Sequence, residues 1–388
     1  MQYSDSILNT PSSFIRNILK VTDSADVISF AGGLPNPISF PIDALKASVN
    51  HAIDESGAKL FQYSTTQGYL PLRQYIAEKY NKKQPGLNYT ADDVLITTGS
   101  QQALELISKV LLNKGDGVVI EEPGYLGAIQ AFTLREPQFY GVTLENEGIN
   151  VAELKTALKQ PNVKMVYTVP NFQNPTGLTY TKERREAVYE AIKDEDVIFI
   201  EDDPYGELRF TGEHLPYIAA GKMTNSVVLG SFSKTVTPGM RLGYILTKNH
   251  ELLNHIETAK QASDLHTNIF AQYILHDYLT NNAYEEHVEK IIALYKEQAN
   301  AMLAAMEKYF PAHVSYTKPE GGMFIWVTMN NGANALEKFH EAMEQKVAFV
   351  PGNPFYTSKS DVNTMRLNYT NATPEMIEEG IKRLGQIL

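Results

Sequence analysis

The chain predicts an α/β fold, a mostly parallel sheet flanked by helices, joined to a smaller α+β domain from the N- and C-terminal segments. Three observations predict it. Short, nearly continuous apolar strands alternate with helical stretches through the middle of the chain, as in a sheet covered on both faces. Beyond residue 249 this alternation gives way to a long charged helical region. After Pro319 short strands return among helices.

The first strand is Val94-Leu95-Ile96-Thr97-Thr98, ended by Gly99, and Ala103, Leu106, Ile107, Val110 and Leu111 follow at helical spacing. Val118-Val119-Ile120 is a strand, Tyr125 to about Thr133 a helix, and a strand lies near Tyr140. Lys164 to Val169 reads as a buried strand, and Lys182 to Lys193 as a helix. Val197-Ile198-Phe199-Ile200 and Ser226 to Gly230 are two more strands. From about Asn249 to Tyr309 the pattern is helical. Strands follow at Met323 to Thr328, Val347 to Val350 and Met365 to Tyr369, with helices around Leu336 to Glu344 and from Pro374 to Leu388. The expected division is a large domain over 46–280 and a small domain of 1–45 plus 281–388.

Composition narrows the function. With 34 Lys+Arg against 45 Asp+Glu among 388 residues, the net charge is −11. That disfavours a nucleic-acid or anionic-membrane surface, which needs clustered positive charge. There is no cysteine, which removes disulfides, thiolate metal sites and cysteine nucleophiles. The nine histidines contain no pair four apart and no H-E-x-x-H, so no metal site is expected. No basic-then-apolar leader and no run of 18 apolar residues is present, so a cytoplasmic protein is expected. G-x-G-x-x-G after a strand and the P-loop motif are both absent.

Five polar features fall at predicted strand ends, where open α/β sheets bind ligands. Gly99-Ser100-Gln101-Gln102 opens a helix, whose free N–H groups suit a phosphate, although a plain helix cap explains it too. Asn171-Phe172-Gln173-Asn174-Pro175-Thr176-Gly177 is a turn dense in side-chain amides. Glu201-Asp202-Asp203-Pro204-Tyr205 sets three acids together, which need a cation or a solvated loop. Ser231-Phe232-Ser233-Lys234 with Arg241 forms an anion-binding set, and a desolvated lysine can be a nucleophile. Arg366, on an apolar strand, needs a carboxylate partner, from a ligand or from an internal salt bridge.

Two chemistries fit the lysine. Ser231-x-x-Lys234 matches the nucleophile motif of penicillin-recognising serine enzymes, yet no K-T-G follows. Alternatively Lys234 binds the aldehyde of pyridoxal phosphate (PLP). Asp202 then keeps the ring nitrogen protonated, and Tyr205 and Asn174 meet the ring oxygen. Ser100, Gln101, Ser231, Ser233 and Arg241 hold the phosphate, and Tyr125 stacks on the ring. This second reading uses all the features at once.

Those motifs, with Phe30-Ala31-Gly32-Gly33-Leu34-Pro35-Asn36-Pro37, Gln62-Tyr63-Ser64, Pro319-Glu320-Gly321-Gly322-Met323-Phe324 and Arg366-Leu367-Asn368, resemble the fold-type I, class I/II aminotransferases. The likeness is greatest to the branch of 2-aminoadipate and kynurenine aminotransferases, and it covers nearly the whole chain. It implies Lys234 as the Schiff-base lysine and general base, Asp202 on the ring nitrogen and Arg366 on the substrate α-carboxylate. It implies ping-pong transamination with a 2-oxo acid such as 2-oxoglutarate. It also implies a homodimer in which Tyr63 reaches the neighbouring subunit's cofactor phosphate, and a substrate covered by Arg16, Gly33 and Leu34. A β-lyase on the same cofactor and a PLP-sensing module remain as alternatives.

Overall fold

Among residues 2–10, 26–359 and 362–388, which the computed structural model describes, fourteen strands form three sheets. In chain order the first five are β1 (Ile28–Ser29), β2 (Val94–Thr97), β3 (Gly117–Glu122), β4 (Gln138–Glu145) and β5 (Gly148–Ile149). Next come β6 (Val163–Thr168), β7 (Ile198–Asp202), β8 (Ser226–Ser231) and β9 (Gly243–Thr247). The last are β10 (Val314–Tyr316), β11 (Phe324–Met329), β12 (Val347–Ala348), β13 (Val350–Pro351) and β14 (Thr364–Asn368).

The large sheet has the order β2-β9-β8-β7-β6-β3-β4-β5. From β8 to β4 every neighbour is parallel. Parallel strands need helical crossovers, and those helices bury both faces of the sheet. The residues obey this: Val118 and Ile120 enter one core with Leu106, Ile107 and Met165, while Val119 enters another with Val166, Phe199 and Val188. Alternation along one strand therefore feeds two apolar layers. β9 is antiparallel to both β2 and β8, so β2 runs in the direction of β8. The carboxyl ends of β2, β6, β7 and β8 accordingly gather at one edge, where Gly99, Asp202 and Ser231 lie.

A second sheet, β10-β11-β14-β13, is antiparallel, and β1 pairs with β12. Two expectations change here. Val347 to Val350 is not one strand: it gives β12 to the β1 pair and β13 to the second sheet. The helical region from Asn249 to Tyr309 is three helices, His250–Ser263, Ile269–Asn281 and Tyr284–Tyr309. Asn249 and Asn268 cap the first two, each accepting a backbone N–H on its side-chain oxygen. Among the described residues no helix is long and apolar enough to cross a membrane.

Candidate active site

At the end of β2 the chain must turn directly into the helix Gly99–Leu111, and Gly99 does so at φ +74°. A Cβ there would lie 2.6 Å from Arg241 Nη2, so the glycine also admits a guanidinium against the helix N-terminus. Arg241 reaches it from a left-handed position of its own, φ +53°, just before β9. The Ser100 hydroxyl is buried with no hydrogen-bond partner, and Ser231 Oγ accepts the N–H of Ser233 at 3.1 Å. A helix N-terminus with a guanidinium against it, and a buried hydroxyl with no partner in its first turn, have the chemistry of an anion site. Gln101 is turned away, its amide donating to Gly127 O at 2.8 Å.

The three acids after β7 are neither solvated nor equivalent. Glu201 is fully buried and accepts from the N–H groups of Ile218 and Ala219. Asp203 accepts from Asn171 and Tyr217 and lies 3.7 Å from Lys83 Nζ, which hold its carboxyl below the usual range against its burial. Asp202 is left short. Its Oδ2 accepts from Tyr167 at 2.6 Å, its Oδ1 is buried without a partner, and burial pushes its pKa up to about 7. A solvated acidic loop was one expectation, and these contacts overturn it.

Lys234 donates to Gly33 O at 2.9 Å and forms no ion pair with a carboxylate among the described residues. Burial, then the positive charges of Arg366 and Arg241, bring its pKa down to about 8. Arg366 is 2% exposed on β14. Its Nη1 donates to Asn174 Oδ1 at 2.9 Å, its Nη2 donates to Ala31 O at 2.8 Å, and its Nε is buried without a partner. The guanidinium lies 4.4 Å from the centroid of Phe324 and 5.3 Å from that of Phe355. An internal salt bridge, one of the two readings of this arginine, is absent among the described residues; an amide, a carbonyl and two aromatic rings surround the guanidinium.

Asn174 Nδ2 donates to the Tyr205 hydroxyl at 3.4 Å, and burial raises the Tyr205 phenol well above its ordinary value. Tyr125 folds over Gly127, where a Cβ would meet its ring at 2.5 Å, and burial lifts its phenol to about 12. Gly33 packs on Phe324, and the Leu34 carbonyl accepts from Thr370 while its side chain stays exposed. Tyr63 is 79% exposed, edge-on to His266, and lies outside this set of contacts. Arg16 lies outside the described residues.

The residues gathered here can be tested against one ligand chemistry. A lone carboxylate oxygen suits a protonated ring nitrogen, the open hydroxyl and helix N-terminus suit a phosphate, and an amine with no carboxylate partner suits an aldehyde. The residues fit PLP. A family model for aminotransferase class I and II matches residues 36–384.

The chain is a class I/II aminotransferase.

It is 41% identical to aromatic-amino-acid aminotransferase 1 of Thermococcus litoralis, over 100% of this chain and 94% of the relative. The crystal structure of Pyrococcus horikoshii kynurenine aminotransferase superposes with a TM-score of 0.94 at 41% identity, covering 99% of this chain and 96% of that one. The α-aminoadipate aminotransferase of Thermus thermophilus, complexed with N-(5'-phosphopyridoxyl)-L-leucine, gives a TM-score of 0.92 at 37% identity, covering 100% and 97%. This aminotransferase is PLP-dependent and shares the fold-type I architecture of those structures. The serine-enzyme reading of Ser231 and Lys234 falls with that finding.

Two parts of the aminotransferase site escaped the sequence reading. Tyr167, mid-motif on β6, is the hydroxyl partner of Asp202. Glu121 holds Gln173 through its Nε2 at 3.0 Å and also binds Val169 N and the Tyr180 hydroxyl; burial lifts its pKa to about 7. The strand-end position of Glu121, beside the Pro123-Gly124-Tyr125 turn, was the available signal.

Proposed function

We propose that the amino donor is an L-amino acid with an aromatic, 2-aminoadipate-like or branched side chain, and that the acceptor is a 2-oxo acid, 2-oxoglutarate foremost, in a ping-pong sequence. The observation that carries this is the pair of cations without carboxylates, Lys234 and Arg366, beside an acid with one open oxygen. A ligand bearing a carboxylate and bound next to a cationic ring completes all three.

Bound PLP supplies an electron sink for the bonds at the substrate Cα. Asp202 keeps a positive charge on the ring nitrogen, the role for which a buried, half-partnered carboxylate is suited. Tyr205 and Asn174 donate to the ring oxygen, and Tyr125 covers the ring. Ser100, the Gln101 backbone N–H, Ser231, Ser233 and Arg241 hold the phosphate. Arg366 grips the substrate α-carboxylate with a fork already oriented by Asn174 and Ala31. That grip aims the Cα–H bond at Lys234, whose amine is substantially neutral near pH 8 and takes the proton from Cα.

Gly33, Leu34 and Arg16 line the substrate side chain in this reading, and Tyr63 serves the neighbouring subunit of a homodimer. Its exposure in the single chain is consistent with that role. The domains divide into 46–280 and 1–45 plus 281–388, and the enzyme works in the cytoplasm without nucleic-acid or membrane partners. The names of the relatives support the aromatic and 2-aminoadipate donors.

The test is the absorbance of PLP-loaded protein mixed with each of twenty amino acids, 2-aminoadipate and kynurenine, with no acceptor present. The expected result is loss of the aldehyde-form band with release of a 2-oxo acid, fastest for the aromatic or 2-aminoadipate donors. Pyruvate with ammonia would favour the lyase. Retention of the band with every donor would favour a sensor.

A further inference from the structure

β3 ends in two consecutive acids that leave the strand on opposite sides. Glu121 turns toward Gln173 and the Asn174 loop. Glu122 turns toward the segment Phe355–Ser358, between β13 and β14. Its Oε1 accepts from Thr357 N at 2.9 Å, Thr357 Oγ1 at 2.5 Å, and Ser358 N and Oγ, both at 3.1 Å. Its Oε2 accepts from Ser358 Oγ at 2.9 Å. Two successive residues therefore spend all four of their N–H and O–H donors on one carboxylate. Charge-assisted bonds of this kind are the strong ones.

Space has been made for it. On β4, a Cβ at Gly141 would lie 2.3 Å from Glu122 Cδ, so only a glycine lets the carboxylate stand there. The same two segments are joined once more, by Gly124 N donating to Phe355 O at 2.7 Å. Phe355 is fully buried, packs edge-on against Trp326, and lies under the Arg366 guanidinium.

We propose that Glu122 is a positioning residue for donor binding: its carboxylate fastens Thr357 and Ser358 and thereby holds Phe355 against Arg366. The inference rests on Arg366 as the α-carboxylate site. The two acids of β3 then act as a pair, one fixing Gln173 in the loop that carries Asn174 and the other the segment that carries Phe355, with the guanidinium held between. Released from Glu122, the segment no longer fixes Phe355, water reaches the guanidinium, and the fork loses its preset orientation. Apart from Tyr125, which Gly124 N–Phe355 O still anchors, the cofactor contacts lie on other strand ends and are spared.

Three holoenzyme variants test this: Glu122→Ala, Thr357→Val/Ser358→Ala, and all three changes together. Each is expected to weaken donor binding in the half-reaction about 10-fold and to leave cofactor affinity within about twofold. The triple variant should be no worse than Glu122→Ala, because the hydroxyl bonds are among those that Glu122→Ala already removes. Backbone amide exchange over Phe355–Ser358 should quicken in every variant. Thr357 and Ser358 lie toward the surface, so their variant decides the matter if Glu122→Ala does not fold. Donor binding unchanged in the variants, or cofactor affinity lost in parallel with it, overturns the proposal. A wild-type enzyme that reacts with no amino acid overturns the Arg366 reading beneath it instead.

Discussion

Two lysines sink into this molecule, in opposite states. Lys260 is fully buried and saturated: its amine donates to Gln102 Oε1, both Asp264 oxygens and Thr267 Oγ1, all between 2.8 and 3.0 Å. Lys234 has one carbonyl and two positive neighbours. The acids repeat the contrast, since Glu201 and Asp203 are satisfied by the chain while Asp202 keeps an open oxygen. Burial alone is therefore no mark of a site. A buried charged group whose partners stop short of its capacity is one, because a fold that gains nothing from the gap keeps it for a ligand.

The largest expected effect breaks the contrast most directly. Lys234→Ala should lower steady-state transamination by at least about 10³-fold, leaving the thermal midpoint of the cofactor-free protein unchanged or higher. Lys260→Met should do the reverse. It takes the cation from Asp264, which keeps only Gln102 Nε2 at 2.6 Å and Thr98 Oγ1 at 3.2 Å, and a loss of about 3 kcal/mol in urea unfolding is expected. Equal destabilisation by the two changes would erase the distinction. Next in size is Arg366→Lys. It keeps the charge but loses the planar fork held by Asn174 and Ala31, so kcat/KM for the donor should fall about 10²-fold with little change in cofactor affinity.

How much of this was legible in the sequence follows from what is local. The parallel strands announced themselves as apolar runs, Gly99, Asn174, Asp202 and Lys234 stood at or near their ends, and Arg366 stood within an apolar run of its own. β9 was not legible. Gly243–Thr247 follows the Arg241 turn at once, and its place between β2 and β8 is set by pairing across the sheet. The split of Val347 to Val350 between two sheets is likewise decided by distant partners, Ile28 on one side and Arg366 on the other. Tyr167 and Glu122 looked like ordinary strand residues, because a hydroxyl or carboxylate on a strand shows its role only through the residue it meets. The environment of Arg366 stayed open for the same reason: sequence shows that a buried cation needs partners, not that rings and amides supply them.

Asp202 gives a smaller effect with a definite sign. Its folded pKa of about 7 lies above its ordinary value, so between those values the unfolded chain has released a proton that the folded chain still holds. Stability of the cofactor-free protein should then fall as pH rises through that window and level off above about 7. Asp202→Asn removes the cost. It should raise the melting temperature at pH 8, with the gain shrinking toward pH 4, while slowing the half-reaction about 10²-fold. A gain independent of pH would mean that the open oxygen is not what the fold tolerates for function.

The smallest effect sharpens the comparison of the lysines themselves. In cofactor-free protein, acylation of Lys234, read by peptide mapping, should rise with pH and reach its half-maximum near pH 8, because a lowered pKa exposes the neutral amine early. Lys260 should stay unlabelled at the same pH, its amine being committed to four acceptors. Burial is the foremost cause of the Lys234 shift and Arg366 the second, so Arg366→Gln should move the half-maximum upward by a fraction of a unit without restoring the ordinary lysine value. A midpoint that does not move at all assigns the whole shift to burial and removes the arginine from the tuning of the base. A midpoint at the ordinary value reverses their order and makes the paired cations, rather than the walls of the pocket, the reason this amine is ready near neutral pH.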